Sequence, residues 1–284
     1  AHVNPHKTSR SMIDFLKLIG DSQLYNFHSH TQFCDGRAPM ADFARQAVEM
    51  GFTHYGFSPH SPIPIPSPCN MTTDDVVLYL AEVERLRKVY ADAPTQFLAS
   101  MEVDYLGPQW GPSNPYFSSI GLDYIIGSVH FIPSQSGELI DIDGRFESFQ
   151  RKMAEHFRND IHYVVNTFFD QSLEMLSRGG LDIIGHYDKV AQNASMYRPG
   201  IEEEGWFARR ADELTDEIIQ SGITVEINTK AREQHGRFFP AEFRWQRLVE
   251  AGAPLIVNSD AHQPPLINAS RPEALSLLSQ LRSK

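Results

Sequence analysis

Cysteine is nearly absent from this chain. Cys34 and Cys69 are the only two in 284 residues, too few for a disulfide framework, and neither sits in a CxxC pair that would hold a structural zinc. A reducing compartment is the expected setting. Long apolar runs are also lacking: no stretch approaches the roughly 20 residues needed to cross a bilayer, and residues 1–23 have neither the apolar centre nor the small-residue cleavage site of a secretory signal. The sequence therefore reads as cytoplasmic, with no membrane partner. Positive charge is in deficit, with 25 Lys and Arg against 36 Asp and Glu, a formal charge of −11. Without a dense basic cluster to displace phosphate counterions, nucleic acid is not an expected partner. Internal repeats and low-complexity tracts are missing as well. What the chain has in quantity is histidine, twelve in all.

Short β-branched or aromatic runs alternate with longer amphipathic stretches from about residue 24 to the C-terminus, with no linker-like break. The runs at 24–28, 53–58, 96–104, 123–131, 181–187, 223–229 and 254–259 read as strands. Helices are expected over 39–50, with Pro39 near its start and Gly51 past its end, and after Thr72 and Thr73. In the latter, Val76, Leu80, Val83 and Leu86 form one apolar face. Further helices are expected at 146–178, 202–220, 240–251 and 271–282, and loops at 59–68 and 107–118. A βα unit repeated about seven times implies an α/β fold with a parallel sheet closed into a TIM-like barrel. One domain is expected over 24–284, preceded by an N-terminal extension over 1–23. Its first eleven residues are polar and are read as a flexible or non-native addition, so His2 and His6 carry no role.

In such barrels the reactive end lies at the C-terminal ends of the strands. The first run ends in His28 and His30, whose i, i+2 spacing puts both imidazoles on one side of an extended chain, and Asp35 follows in the adjoining turn. His60 comes after the second run, Glu102 near the end of the third, His130 at the end of the fourth and His186 at the end of the fifth. Asp260 and His262 close the seventh, again two apart. A lone strand-end histidine is an ordinary packing residue and HxH alone is a weak motif. Six of the twelve histidines beside three acids on one rim is the pattern of a metal site. His54, His156, His162 and His235 receive no such role, although His235 falls in a rim-side loop.

The ordered set NFHSHTQFCDG (26–36), FSPHSP (57–62), MEVDYL (101–106), IGSVHF (126–131), DIIGHYDK (182–189), EINT (226–229) and NSDAH (258–262) resembles the polymerase and histidinol phosphatase (PHP) family, in particular its histidinol-phosphate phosphatase branch. The resemblance runs from about residue 24 to 270 and implies a distorted (β/α)7 barrel with three divalent metal ions. It implies that His28, His30, Glu102 and Asp260 hold one ion, and that Glu102 bridges to a second on His130 and His186. Asp35, His60 and His262 would hold the third. Asn26 stands where many relatives carry Asp, and Pro59 where an acidic residue is common. Ligation by nitrogen and oxygen alone suits Zn, Mn or Fe.

Clustered divalent cations acidify a bridging water, polarise phosphoryl oxygens and hold an ester for in-line attack, chemistry that suits a dianionic phosphate monoester. Asp260 could also orient the water or take its proton, with Glu102 and Arg232 completing the expected catalytic set. The segment TKAREQHGRF (229–238) carries Lys230, Arg232 and Arg237 as candidate phosphate cations, Arg232 foremost for its planar guanidinium. Lys189 and Arg145 are further candidates, and Asp104, Tyr105 and Tyr187 could meet the cationic end of an aminated imidazole. The expected activity is hydrolysis of a small phosphorylated partner, L-histidinol phosphate. Other readings stay open: a PHP phosphoesterase for nucleoside bisphosphates or small phosphodiesters, or a non-catalytic, metal-stabilised domain. An amidohydrolase would want a carbamylated bridging lysine, and no rim lysine is clearly so placed. Metal identity and oligomeric state are not readable.

Overall fold

A computed structural model describes residues 13–284; residues 1–12, with His2 and His6, lie outside the described residues. Seven parallel strands form one sheet in the order β1 (Tyr25–Asn26), β2 (His54–Phe57), β3 (Gln96–Asp104), β4 (Tyr124–Ser128), β7 (Ile183–Ile184), β8 (Thr224–Asn228) and β9 (Leu255–Asn258). These are the seven expected runs, all but β3 shortened at their ends. Helices cover the outside, and the sheet curls into a nearly closed, distorted barrel. Its seam, between β1 and β9, is joined mainly by side chains: Phe27 N donates to Asn258 Oδ1 at 3.0 Å and Ser259 N to Asn26 Oδ1 at 3.0 Å. Beyond the strands, Ser29 bridges to Ala261. Asn26, the departure noted above, thus serves the seam.

Period-two alternation sorts the strand residues between two environments. Outward positions such as Ala99, Met101, Val103, Val225 and Ile227 pack beneath the helices. The inward positions of β3 run Leu98, Ser100, Glu102, Asp104, and all four are buried, so this one strand passes from apolar at its start to acidic at its end. Leu98, Tyr124, Ile126, Ile183 and Ile256 fill the lower barrel with Tyr25 and Phe27. Helix α1 (Phe15–Ile19) closes that end, and its Phe15 ring meets Phe27 edge-on at 5.0 Å and Tyr124 at 5.4 Å. The segment read as an extension therefore contributes a plug to the core.

Two expected helices match well: α2 (Met40–Glu49) and α11 (Arg271–Arg282). Thr72 caps α3 (Thr73–Val89) in a capping box with Asp75, which satisfies two otherwise orphaned N–H groups. The expected 146–178 helix is two, α5 (Phe146–His156) and α6 (Ile161–Arg178). Between them Arg158 and Asn159 both take φ 54°, and Asp160 caps α6 by accepting from Tyr163 N at 3.0 Å, so the Asn-Asp pair stops one helix and starts the next. Four short elements have no counterpart among the expected strands and helices: α4 (Pro115–Ser119), the antiparallel pair β5 (Phe131–Pro133) and β6 (Leu139–Asp141), and α7 (Val190–Tyr197). The 202–220 helix is α8 (Gly205–Ser221); α9 (Arg232–His235) is a single turn, and only the second half of 240–251 is α-helical, as α10 (Trp245–Glu250). Among the described residues no helix is long and apolar enough to cross a membrane.

Close approach inside the barrel makes one glycine obligatory. A Cβ added to Gly56 on β2 would lie 1.8 Å from Tyr124 Oη, whose hydroxyl donates to Phe27 O. Gly56→Ala is expected to destabilise the fold by about 1–3 kcal/mol through overpacking, read as a lowered Tm. Tyr124→Phe in the same chain should return part of the loss; an unchanged Tm in the single variant would count against this packing.

Candidate metal centre

The nine rim side chains come from six strand ends and converge at the acidic end of the barrel. His28 and His30 leave β1, His60 follows β2, Glu102 lies on β3, His130 and His186 follow β4 and β7, and Asp260 and His262 follow β9, while Asp35 reaches in from the turn after β1. Asp260 takes φ 53°, a left-handed conformation that aspartate tolerates better than most residues and that turns its carboxylate back towards β1.

The donor atoms form overlapping groups, each with its atoms within 4.8 Å of one another: His28, His30, Glu102 and Asp260; Glu102, His130 and His186; and Asp35, His30, His60 and His262. A fourth group joins His60, Asp104 and His130. His28 Nε2 is 3.1 Å from Glu102 Oε1 and 3.2 Å from Asp260 Oδ1, yet it is a buried atom without a hydrogen-bond partner. Asp35 Oδ1 is also buried and unbonded, ringed by His262 Nε2 at 3.3 Å, His60 Nε2 at 3.4 Å and His30 Nδ1 at 3.5 Å. His130 Nε2 and His186 Nε2 face each other at 3.4 Å, with Glu102 Oε2 at 3.4 and 3.0 Å. Ligands bonded at about 2.1 Å to one tetrahedral ion are separated by roughly 3.4 Å. Orphaned donors at that spacing fit divalent cations better than they fit hydrogen bonds among themselves.

The opposite faces of the rings are already taken, as metal ligation requires. His28 Nδ1 donates to Glu226 Oε2 at 2.6 Å and His130 Nδ1 to Asp104 Oδ1 at 2.6 Å, leaving each Nε2 for the centre. Glu226 also accepts from His186 N, Asn228 Nδ2 and Asn258 Nδ2, and Ser128 Oγ donates to Glu102 Oε2 at 2.7 Å. The sequence reading assigned Glu226 no role and offered Asp104 to substrate. The signal was nonetheless present: Glu102 and Asp104, like Glu226 and Asn228, lie two apart and so share the inward face.

Burial opposes a charged His28 ring, but Asp260, Glu226 and Glu102 outweigh it and hold its pKa well above the usual imidazole range. Burial likewise opposes charge on His130, yet Glu102 and Asp104 raise it to about 10. His30 goes the other way, pushed well down by burial and then by His262 and His60. Although burial would raise the carboxyl of Glu102, His28 and His130 keep it well below the carboxylate range; His28 and Lys230 do so for Asp260.

The proposed phosphate cations divide into two sets. Lys189 and Lys230 line the cleft over the centre, and Lys189 Nζ donates to Asp143 Oδ2 at 2.8 Å. Arg232 does not line it: half-buried at the surface, it pairs with Glu273 at 2.6 Å and lies over the Phe238 ring. Arg237 is held by Glu202 at 3.0 Å and stacks on Phe239, while Arg145 sits at the start of α5, next to Asp143 and Gly144 of the cleft wall but not itself among the lining residues. A guanidinium with its own carboxylate and aromatic face is already satisfied. Tyr105 and Tyr187 are buried beneath the helices, Tyr187 bonded to Thr215.

Fold and site define a histidine- and carboxylate-rich metal-binding α/β barrel. The PHP domain profile matches residues 26–230, and the chain belongs to the PHP domain family. It is 27% identical over 261 residues to a Schizosaccharomyces pombe protein named "Probable histidinol-phosphatase", covering 84% of this chain and 80% of that one. A Deinococcus radiodurans protein of the same name is 24% identical over 246 residues, 85% of this chain and 87% of that one. Among solved structures, a Listeria monocytogenes protein carrying the histidinol phosphatase name superposes with a TM-score of 0.77 at 17% identity, over 88% of this chain and 99% of its own. The histidinol phosphate phosphatase of Lactococcus lactis, crystallised with zinc, L-histidinol and phosphate, gives 0.63 at 17% identity over 91% and 94%.

Because the surrounding carboxylates raise the pKa of His28 and His130, an ion bound by these imidazoles competes with a proton. Zn²⁺ added to metal-free protein in weak buffer near pH 7 is expected to release about one proton or more per chain, and affinity should rise with pH as those imidazoles become easier to deprotonate. Binding without proton release would contradict the raised pKa values.

Proposed function

We propose that the chain is a metal-dependent phosphomonoesterase that hydrolyses L-histidinol phosphate to L-histidinol and phosphate, a step of histidine biosynthesis. The observation that carries this reading is one buried carboxylate, Glu102, shared by two groups of donors beneath a cleft that also holds two lysines. The names of the S. pombe and D. radiodurans relatives support the choice of ester.

His28, His30, Glu102 and Asp260 would hold one cation, Glu102, His130 and His186 a second, and Asp35, His60 and His262 a third, with Zn, Mn or Fe all suited to the donors. Such cations, when bound, polarise phosphoryl oxygens and acidify water. The chain's own residues do the rest. Lys230 and Lys189 offer the phosphate positive charge at the cleft wall. Asn228 Nδ2 donates to Asp260 Oδ2 at 3.1 Å, fixing that carboxylate, whose depressed pKa keeps it ionised at neutral pH and suits it to ligation and orientation more than to taking a proton. Glu226 and Asp104 hold the imidazole tautomers that leave Nε2 towards the centre.

Phosphate release from L-histidinol phosphate, beside an aryl phosphate and a nucleotide panel, tests the reading after loading with Zn, Mn or Fe separately. A clear kcat/KM advantage for L-histidinol phosphate is expected; activity confined to nucleotides would move the assignment elsewhere in the family, and bound metal without esterase activity would favour a non-catalytic domain. Glu102→Gln should lower metal content and activity together by about 10-fold or more. Arg232→Ala should leave kcat/KM near the parent value, whereas Lys230→Ala should raise KM about 10-fold. A large loss in the Arg232 variant would return that residue to the site.

A further inference from the structure

The antiparallel pair β5 and β6 interrupts the barrel's βα rhythm immediately after His130. Its register sets Phe131 directly across from Asp141, so their side chains leave the same face of the ribbon. Both line the cleft over the metal-ligand groups. Phe131 is largely buried, 7% exposed, on that lining.

Three carboxylates stand on this wall, and two are occupied. Asp104 takes His130 Nδ1 on one oxygen and Asn70 Nδ2 on the other. Asp143 is paired with Lys189. Asp141 accepts only a backbone bond, from Asp143 N at 2.8 Å. The nearby Lys152 ammonium goes to the Asp141 backbone carbonyl at 2.8 Å, and among the described residues no side chain forms an ion pair with the Asp141 carboxylate. Burial, and then the neighbouring charge of Asp143, push its carboxyl pKa up against the opposing charges of Lys152 and His130, so its charge is only partly compensated. An aromatic residue beside a carboxylate that has no side-chain ion pair suits an organic ammonium, through ion pairing and cation–π attraction together.

We propose that Phe131 and Asp141 form a subsite for a positively charged group on the alcohol portion of the ester, and so select phosphate monoesters of amino alcohols. The inference deepens the proposed function and rests on it, since L-histidinol carries a primary amine. With the phosphate directed to the donor groups and Lys230, the ammonium end would meet the ribbon wall. Asp141, rather than the buried Tyr105 and Tyr187, then reads the organic portion.

The test compares 3-aminopropyl phosphate with propyl phosphate, two esters that differ only in the amine, in the metal-loaded parent enzyme, Asp141→Asn and Asp141→Glu, with metal content measured for each. The parent should prefer the amino ester. In Asp141→Asn, kcat/KM on that ester should fall about 10- to 100-fold, mainly through KM, while the propyl ester changes by less than about 2-fold. Asp141→Glu should recover part of the loss. No preference in the parent, no turnover of the amino ester, or an equal loss on both esters at unchanged metal content overturns the subsite. Turnover of L-histidinol phosphate is scored separately: its absence, with amino-ester preference intact, would remove the named substrate and leave the subsite standing.

Discussion

A carboxylate almost wholly shut away from water has to be compensated from within the protein. Glu102 is that group. Its Oε1 faces His28, His30 and His60 at 3.1, 3.6 and 3.4 Å, and its Oε2 faces His130 and His186 at 3.4 and 3.0 Å. Five imidazoles from four different strand ends therefore depend on one side chain near the C-terminal end of β3. Two of these rings, His28 and His130, are in turn oriented by Glu226 on β8 and Asp104 on β3. The arrangement is rigid because most of its members have no alternative partner: moving any ring would strand a buried nitrogen or a buried oxygen.

The gradient along each strand is what allows such a centre to exist in a folded chain. Below it, Phe15, Phe27, Tyr124 and Ile256 supply apolar burial, and above it the chain gathers charge that opposes folding unless matched. Along β4 the inward series Tyr124, Ile126, Ser128, His130 repeats the change seen on β3. The apolar floor stabilises, and the polar end above it is positioned by that floor.

Much of this was legible in the sequence, for physical reasons. The seven strand runs each carry an apolar stretch, and the rim acids and histidines fall at or just past their ends, so periodicity and position found both the barrel and the nine converging side chains. Other features were not legible. The β5–β6 ribbon is only three residues per strand, too short for alternation to register. The break at Arg158 and Asn159 depends on two positive φ angles that a continuous amphipathic pattern conceals. Arg232 and Arg237 were drawn into the site by residue type, whereas their placement is decided by Glu273 and Glu202, which lie 41 and 35 positions away in the chain. The plug formed by Phe15 was hidden because a five-residue helix carries too little pattern to separate it from a tail.

The barrel's seam has a consequence of its own. β1 and β9 lack a regular backbone ladder and are held by asparagine side chains, one bridge and His30 N donating to Ala261 O at 2.8 Å. Across that same line His30 meets Asp260 Oδ1 at 2.7 Å and its ring stacks on His262 at 4.0 Å. The reactive groups thus add their own contacts to the line along which asparagines and backbone fasten the two margins of the sheet, so the chain's chemistry and the closure of its cylinder meet at one seam.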